Sequence, residues 1–328
     1  MSEKKELRCE VMMAEFCSLD VVVPVYNEAQ CIEAFADRLR TQLTALQIPY
    51  RILFVNDGSV DDTQAKLVKL TSGDAHFAAI ELSRNFGHQA AITCGLEAST
   101  ADWVITMDGD GEHPPEKIAE MIAKAKEGYD LILVQRQTGQ DASFFKRATS
   151  DGFYRFIGQI TSTPILPGVG DFRLMNRMVV DALVSMPEYH RFLRGMVSWL
   201  GFKSAIIPYV PAKRMGGKSK YSLKKMFRLA ADAIYSFSLV PIIAALISGA
   251  IFLAAAVVVG IVGLVQGAMA WVWNASLVFL LLFCTGTILL AVGSVGMYSG
   301  KAFQQVKWRP IYVVRSRTNA SFKKDETK

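Results

Sequence analysis

Apolar residues fall into two regimes along this chain. Over residues 19–136 they form short, nearly continuous β-branched runs, separated by stripes in which apolar positions recur three and four apart. Residues 19–25 are the first such run and contain Pro24 near their end. Ile32, Phe35, Leu39, Leu43 and Leu46 then share one face of a helix, for which Asn27 and Gln30 have the spacing of a capping box. Further strands are expected over residues 51–55, 78–82, 103–107 and 131–134, with helices over 63–70, 88–98 and 115–126 between them. Strands without polar alternation, separated by helices, predict an α/β domain with a mostly parallel sheet. Ligands of such sheets sit beyond the carboxyl ends of the strands.

The second regime is different in kind. Residues 239–267 and 277–300 are almost free of charge, and each is long enough to cross a hydrocarbon layer of roughly 30 Å as a helix. Two transmembrane helices are therefore expected, joined by an uncharged loop that carries Trp271 and Trp273 as interfacial anchors. Lys and Arg flank this pair only on its outer sides. The positive-inside rule then leaves the preceding domain and both termini in the cytoplasm, the arrangement of a two-pass protein of a bacterial inner membrane. Leu223, Met226, Phe227, Ala230, Ile234 and Phe237 recur at helical spacing before the first span, as in a helix lying in the interface. Phe145, Phe153, Phe156, Ile157 and Ile160, opposed by Lys146, Arg147 and Arg155, suit either a second interfacial helix or one packed on the domain.

Composition agrees with this division. An apolar fraction of 51% is too high for a soluble protein of 328 residues, and the excess lies in residues 237–300. The net charge of +6 concentrates beside the apolar segments, at 213–228 and 301–324, which favours anionic lipid headgroups and argues against nucleic acid. Cys9, Cys17, Cys31, Cys94 and Cys284 show no paired spacing, so neither a zinc site nor a disulfide framework is indicated, and a reducing cytoplasm fits. The charged start, MSEKKELRCE, lacks the apolar core of a signal peptide. The expected organisation is an extension (1–18), an α/β domain (19–221), a juxtamembrane amphipathic helix (222–236), two transmembrane helices (237–300) and a basic cytosolic tail (301–328).

The candidate chemistry lies at strand ends. MDGDGEHPP follows the fourth strand, placing Asp108, Asp110 and Glu112 at alternate positions of a glycine-rich turn. Three oxygen donors so spaced suit a hard divalent cation that keeps positions open for diphosphate oxygens, hence Mg²⁺ or Mn²⁺. Acidic turns also cap helices, but the location directly after a buried strand favours the ion. Asp57 ends the second strand, where its carboxylate suits a nucleobase or ribose, while an Asx turn accounts for Ser59, Asp61 and Asp62. No GxGxxG follows the first strand and no GxxxxGK[ST] occurs, which excludes the dinucleotide fingerprint and the P-loop. His76 and His190 read as surface residues. His88 and His113 adjoin motifs but have no metal-ligand spacing, so they read as structural.

VVVPVYNE (21–28), VNDGSVDDT (55–63), LSRNFGHQAAITCGL (82–96) and MDGDGEHPPE (107–116) together resemble the large inverting glycosyltransferase family of GT-A fold. GVGDFRLMNR (168–177), RFLRGMVSWLGF (191–202), KRMGGKSKYS (213–222) and the C-terminal apolar pair are similar to the polyisoprenyl-phosphate glycosyltransferases, a group that includes bactoprenol glucosyltransferases and dolichol-phosphate mannose synthases. The likeness spans about residues 19–310. It implies that Pro24, Tyr26, Glu28 and Asp57 hold the nucleoside of a nucleotide-sugar, with Asp108, Asp110 and Glu112 around the metal and diphosphate. Relatives commonly carry Gln at the position of Glu112. Arg136 and Arg147 would lie near the phosphate of a polyprenyl acceptor, and Arg214, Lys218, Ser219 and Lys220 would form a basic loop over it. A homo-oligomer is compatible with the sequence.

Asp171 suggests a general base, yet a phosphate monoester with a second pKa near 6 is already largely a dianion at neutral pH. Asp171 is therefore expected to position sugar or phosphate, with Arg173 as a partner. The resemblance implies transfer of a hexose, glucose from UDP-glucose as the first choice, to polyprenyl (undecaprenyl) phosphate. A processive polysaccharide synthase is the alternative enzyme. Its QxxRW motif has only an imperfect counterpart here, Gln304-Gln305-Val306-Lys307-Trp308. A non-catalytic membrane scaffold is disfavoured because every acidic motif position is occupied.

Overall fold

The computed structural model describes residues 17–137, 168–210, 240–266 and 270–320. These fall into two units, one holding the described residues up to 210 together with 310–320, the other holding 240–266 and 270–309. The expected extension, the Phe145–Ile160 stripe, the juxtamembrane helix, and Arg147, Arg214, Lys218, Ser219 and Lys220 lie outside the described residues or, for the extension, almost entirely so.

In the first unit the chain alternates as expected: β1 (Leu19–Val25), α1 (Ile32–Ala45), β2 (Tyr50–Asn56), α2 (Thr63–Gly73), β3 (Phe77–Leu82), α3 (His88–Ala98) and β4 (Trp103–Thr106). A 3₁₀ turn at Pro115–Lys117 leads into α4 (Ile118–Lys126), followed by β5 (Leu131–Arg136), β6 (Val169–Asn176), α5 (Arg177–Ser185), α6 (Leu193–Trp199) and β7 (Ser204–Tyr209). After the second unit the chain adds β8 (Val314–Thr318), and the described strands form one sheet in the order β7-β5-β6-β4-β1-β2-β3-β8. β1, β2, β3, β4, β5 and β7 run one way; β6 and β8 run against their neighbours. The sheet is thus mixed, with β6 inserted between β4 and β5. No apolar run marks β6 because it carries Asp171 and Arg173, both buried and paired with one another.

The core follows from the sequence pattern. Val21, Val23, Ile52, Phe54 and Ile105 are fully enclosed, and the α1 stripe of Ile32, Phe35, Leu39 and Leu43 is buried against them. α3 lies so close to the sheet that a Cβ on Gly95 would come within 2.2 Å of Val22 Cγ1. This contact fixes the height of a helix whose first residue, His88, belongs to the site.

Asn27 does not cap α1. The N-cap is Cys31, whose side chain makes no capping bond, whereas Asn27 adopts a left-handed conformation (φ 55°) that Asn tolerates well. Its amide donates to Ser59 Oγ at 2.9 Å and its Oδ1 accepts from Val60 N at 2.9 Å, which stitches the β1 loop to the β2 loop. Gly58 completes this stitch at φ +66°, where a Cβ would lie 2.4 Å from the Arg84 carbonyl carbon. The left-handed backbone alone costs a non-glycine residue roughly 1–3 kcal/mol. Gly58→Ala is therefore expected to lower the melting temperature by several degrees in a thermal-shift assay. An unchanged melt would show that the loops yield freely.

The segment expected as a basic tail contributes an edge strand. β8 pairs antiparallel with β3, Tyr312 Oη donates to Glu97 Oε2 at 2.6 Å, and Asn319 Nδ2 donates to the Thr71 and Phe77 carbonyls at 2.9 and 3.2 Å. Its sequence, VRSRT, looks polar because an edge strand turns one face to water.

The second unit consists of α7 (Val240–Gln266) and α8 (Ala270–Val306), with Phe252 meeting Phe283 edge to face at 4.6 Å. Residues Phe283–Val306 are long and apolar enough to cross a membrane, and Val240–Phe252 form a shorter apolar stretch. Trp271 and Trp273, expected in a loop, lie in the first turn of α8.

Candidate active site

The turn after β4 is built around a histidine. His113 Nδ1 accepts the Asp108 amide at 2.9 Å, while its ring is buried against Phe172 (centroids 5.0 Å, stacked) and meets Tyr209 at 5.9 Å. Because Nδ1 accepts, the ring proton sits on Nε2, which lies 3.7 Å from Asp108 Oδ2. Asp110 Oδ1 accepts the Glu112 amide at 3.0 Å, closing the turn. Asp108 Oδ1 is buried without a hydrogen bond among the described residues, with His88 Nε2 at 3.3 Å. An orphaned carboxylate oxygen at a strand end is the kind of donor a hard cation takes. The three expected ligands do not converge: no group of three His, Cys, Asp or Glu side chains suited to a metal occurs among the described residues. Glu112 instead approaches Arg136, whose guanidinium is 3.6 Å from Oε2. The fit to a metal therefore rests on Asp108 and Asp110, with Glu112 held toward β5.

Beside this turn lies a buried ion cluster. Asp171 Oδ1 is paired with Arg173, and Oδ2 takes Arg194 at 3.2 Å and Gln89 Nε2 at 3.4 Å, with His88 Nε2 also at 3.4 Å. Gln89 Oε1 in turn accepts the Leu193 amide at 3.1 Å, and Arg173 donates to the Leu193 carbonyl at 3.3 Å. The start of α3, the middle of β6 and the start of α6 are joined in this way. Burial pushes the Asp171 pKa up, but the Arg194 charge, the His88 hydrogen bond and Arg173 hold it well below the usual carboxylate range. Such a carboxylate is a weak base. Arg173 is the partner expected for it, and protein donors stand at both carboxylate oxygens. For His88, desolvation by the surrounding protein lowers the pKa although the side chain is partly exposed, and the bond to Asp171 with the Asp108 and Asp171 charges overcomes this, raising it to about 9.

Asp57 is bonded within the protein. It is buried, with Oδ1 accepting the Phe86 amide at 2.7 Å and Oδ2 the Gly87 amide at 3.0 Å, so it shapes the loop that leads to His88. Burial raises its pKa, and these amides pull it part of the way back. In the loop after β2, Asn56 Oδ1 accepts the Ser59 amide and Asp61 Oδ1 the Thr63 amide, the Asx pattern expected, although Asp62 at the N-cap makes no side-chain capping bond. Pro24 is buried in β1 and Tyr26 is half-buried just beyond it. Glu28 donates its amide to Thr63 Oγ1 at 3.0 Å and takes the Cys31 thiol on Oε2 at 3.3 Å. Burial and Glu28 push that thiol up to about 12, which leaves it unreactive.

His88, Gln89, His113 and Arg194 were not legible as site residues. Metal-ligand spacing is the wrong test for histidines that bond to carboxylates and amides; their adjacency to RNFG and DGDGE was the available signal.

Residues 20–184 match the family model described as Glycosyl transferase family 2. The chain belongs to that family. It is a glycosyltransferase, and its mixed α/β sheet is that of the GT-A fold. Among its relatives is the uncharacterized glycosyltransferase YkcC of Bacillus subtilis, 38% identical and aligned over 92% of this chain and 95% of that one. The bactoprenol glucosyl transferase of Shigella phage SfX is 34% identical over 91% of this chain and 99% of that one. Glucosyl-3-phosphoglycerate synthase from Mycobacterium tuberculosis, crystallised with Mn²⁺ and UDP-glucose, is similar at 17% identity and a TM-score of 0.45, covering 69% of this chain and 80% of that one.

Proposed function

We propose that this glycosyltransferase moves glucose from UDP-glucose to polyprenyl (undecaprenyl) phosphate at the cytosolic face of a bacterial inner membrane, by metal-dependent displacement with inversion. The observation that carries the reading is Asp108 Oδ1, buried and without a hydrogen bond at the carboxyl end of β4. The names of the 33–34% identical bactoprenol glucosyl transferases support the sugar and the acceptor.

Asp108 and Asp110 would hold Mg²⁺ or Mn²⁺, with Glu112 beside them; the bound ion supplies charge compensation for the departing diphosphate. Pro24, Tyr26 and Glu28 border the nucleoside, and Asp57 contributes through the loop it holds. Arg136, Arg147 and Arg214 with Lys218, Ser219 and Lys220 align the acceptor phosphate, which attacks as a dianion without a base on the protein. Leu246, Ile247 and Ile251 on α7 and Leu281, Ile288, Leu289 and Leu290 on α8 expose more than half of their surface. Such apolar exposure calls for lipid, and we read the two helices as a transmembrane hairpin. Lys301, Lys307 and Arg309 at its end favour a cytoplasmic exit.

The test is a transfer assay with the full-length protein in lipid, undecaprenyl phosphate, Mn²⁺ and a panel of labelled nucleotide-sugars. Label is expected in the lipid phase from UDP-glucose, and a chelator is expected to abolish it. Transfer from another donor would change the sugar. No transfer from any donor would sink the reading.

A further inference from the structure

His88 Nε2 stands between two carboxylates, 3.3 Å from Asp108 Oδ1 and 3.4 Å from Asp171 Oδ2. They are unequally served. Asp171 Oδ2 also takes Arg194 and Gln89, whereas Asp108 Oδ1 has no hydrogen bond. Its single N–H is within reach of both oxygens, so the imidazole links the two carboxylates by its place. That place is set by a rigid element: His88 is the first residue of α3, and α3 is held on the sheet by the Gly95–Val22 contact. The side chain is 43% exposed, so it borders the site rather than filling the core. His113 secures the Asp108 backbone from the other side, through the amide. The turn therefore keeps its fold without His88, while Asp108 Oδ1 loses its neighbour and Oδ2 keeps His113 Nε2 at 3.7 Å.

We propose that His88 is a positioning residue for the nucleotide-sugar: it holds the Asp108 carboxylate in register with the Asp171 cluster, so that the cation and diphosphate meet Asp108 at a fixed place. This rests on the donor reading given under Proposed function. Residues that orient a metal ligand typically change affinity by about 10–100-fold when removed. The consequence is selective. Donor binding depends on His88, and acceptor binding and folding do not.

The experiment uses the full-length protein in lipid nanodiscs, with UDP binding in Mn²⁺ followed by calorimetry, KM measured for each substrate, and a thermal melt. His88→Ala is expected to weaken UDP binding and raise the donor KM about tenfold, with acceptor KM and melting temperature essentially unchanged. His88→Gln, which restores an N–H of similar reach, is expected to recover most of the loss. UDP affinity within about twofold of wild type in His88→Ala would overturn the proposal, as would a parallel loss of melting temperature and both KM values that Gln does not recover. Wild-type protein that binds no UDP with Mn²⁺ or Mg²⁺ would overturn the donor reading itself and the proposal with it. The wild-type control thus separates the two failures.

Discussion

Asp108→Asn is expected to reduce transfer by about 10³-fold or more while leaving the melting temperature within a few degrees of wild type. The substitution keeps the volume of the side chain and the backbone bond from the Asp108 amide to His113, so the turn retains its anchor. It removes the negative charge on an oxygen that has no hydrogen bond to lose. Charge stabilisation by a catalytic metal amounts to several kcal/mol, and each 1.4 kcal/mol is about tenfold in rate, which sets the size of the loss. Asp110→Ala is expected to follow the same course with membrane insertion intact. Initial rates with UDP-glucose and a melt on the same preparation measure both quantities. Normal rates in a folded Asp108→Asn protein would remove the metal assignment.

Asp171→Asn acts on stability first. Arg173 is fully enclosed, and its charge is met by Asp171 Oδ1, so neutralising the acid strands a buried guanidinium. Breaking a buried pair from one side costs about 3–5 kcal/mol. For a domain of this size that corresponds to a fall of about 10 °C in melting temperature. The effect has a definite pH dependence. A carboxylate held below its unfolded value of about 3.9 stabilises the fold fully above that pH, and the contribution is lost as pH falls toward the depressed folded value. The gap between wild type and Asp171→Asn is therefore widest at neutral pH and narrows below about pH 4. Melts of both proteins at neutral and acidic pH measure it. A gap that does not narrow in acid would mean that the carboxylate charge is not what holds Arg173.

The strands and helices up to residue 136 were legible because burial on both faces leaves an unbroken apolar signature, as in Val21, Val22 and Val23. β6 and β8 were not, for opposite reasons. β6 hides two charges that satisfy each other inside the protein, and β8 is half in water. At the site, carboxylates at strand ends stood out, since acids on a glycine-rich turn directly after a buried strand favour an ion over a helix cap. Their neighbours were harder to see. Whether Asp57 faces a ligand or the Phe86 and Gly87 amides depends on where the β3 loop passes, and that is set by residues remote in sequence. His88 and His113 gain meaning from the same kind of encounter, with Asp171 and Phe172 contributed by β6.

The return of the chain to the sheet after α8 has a consequence for how the protein is made. Synthesis runs from the N-terminus, so β3 is on the ribosome long before β8. Until the last segment emerges, the outer edge of β3 has no β8 to cover it, and a bare strand edge is a template for unwanted pairing. The catalytic unit is discontinuous in sequence, and both apolar helices are produced before its sheet can close.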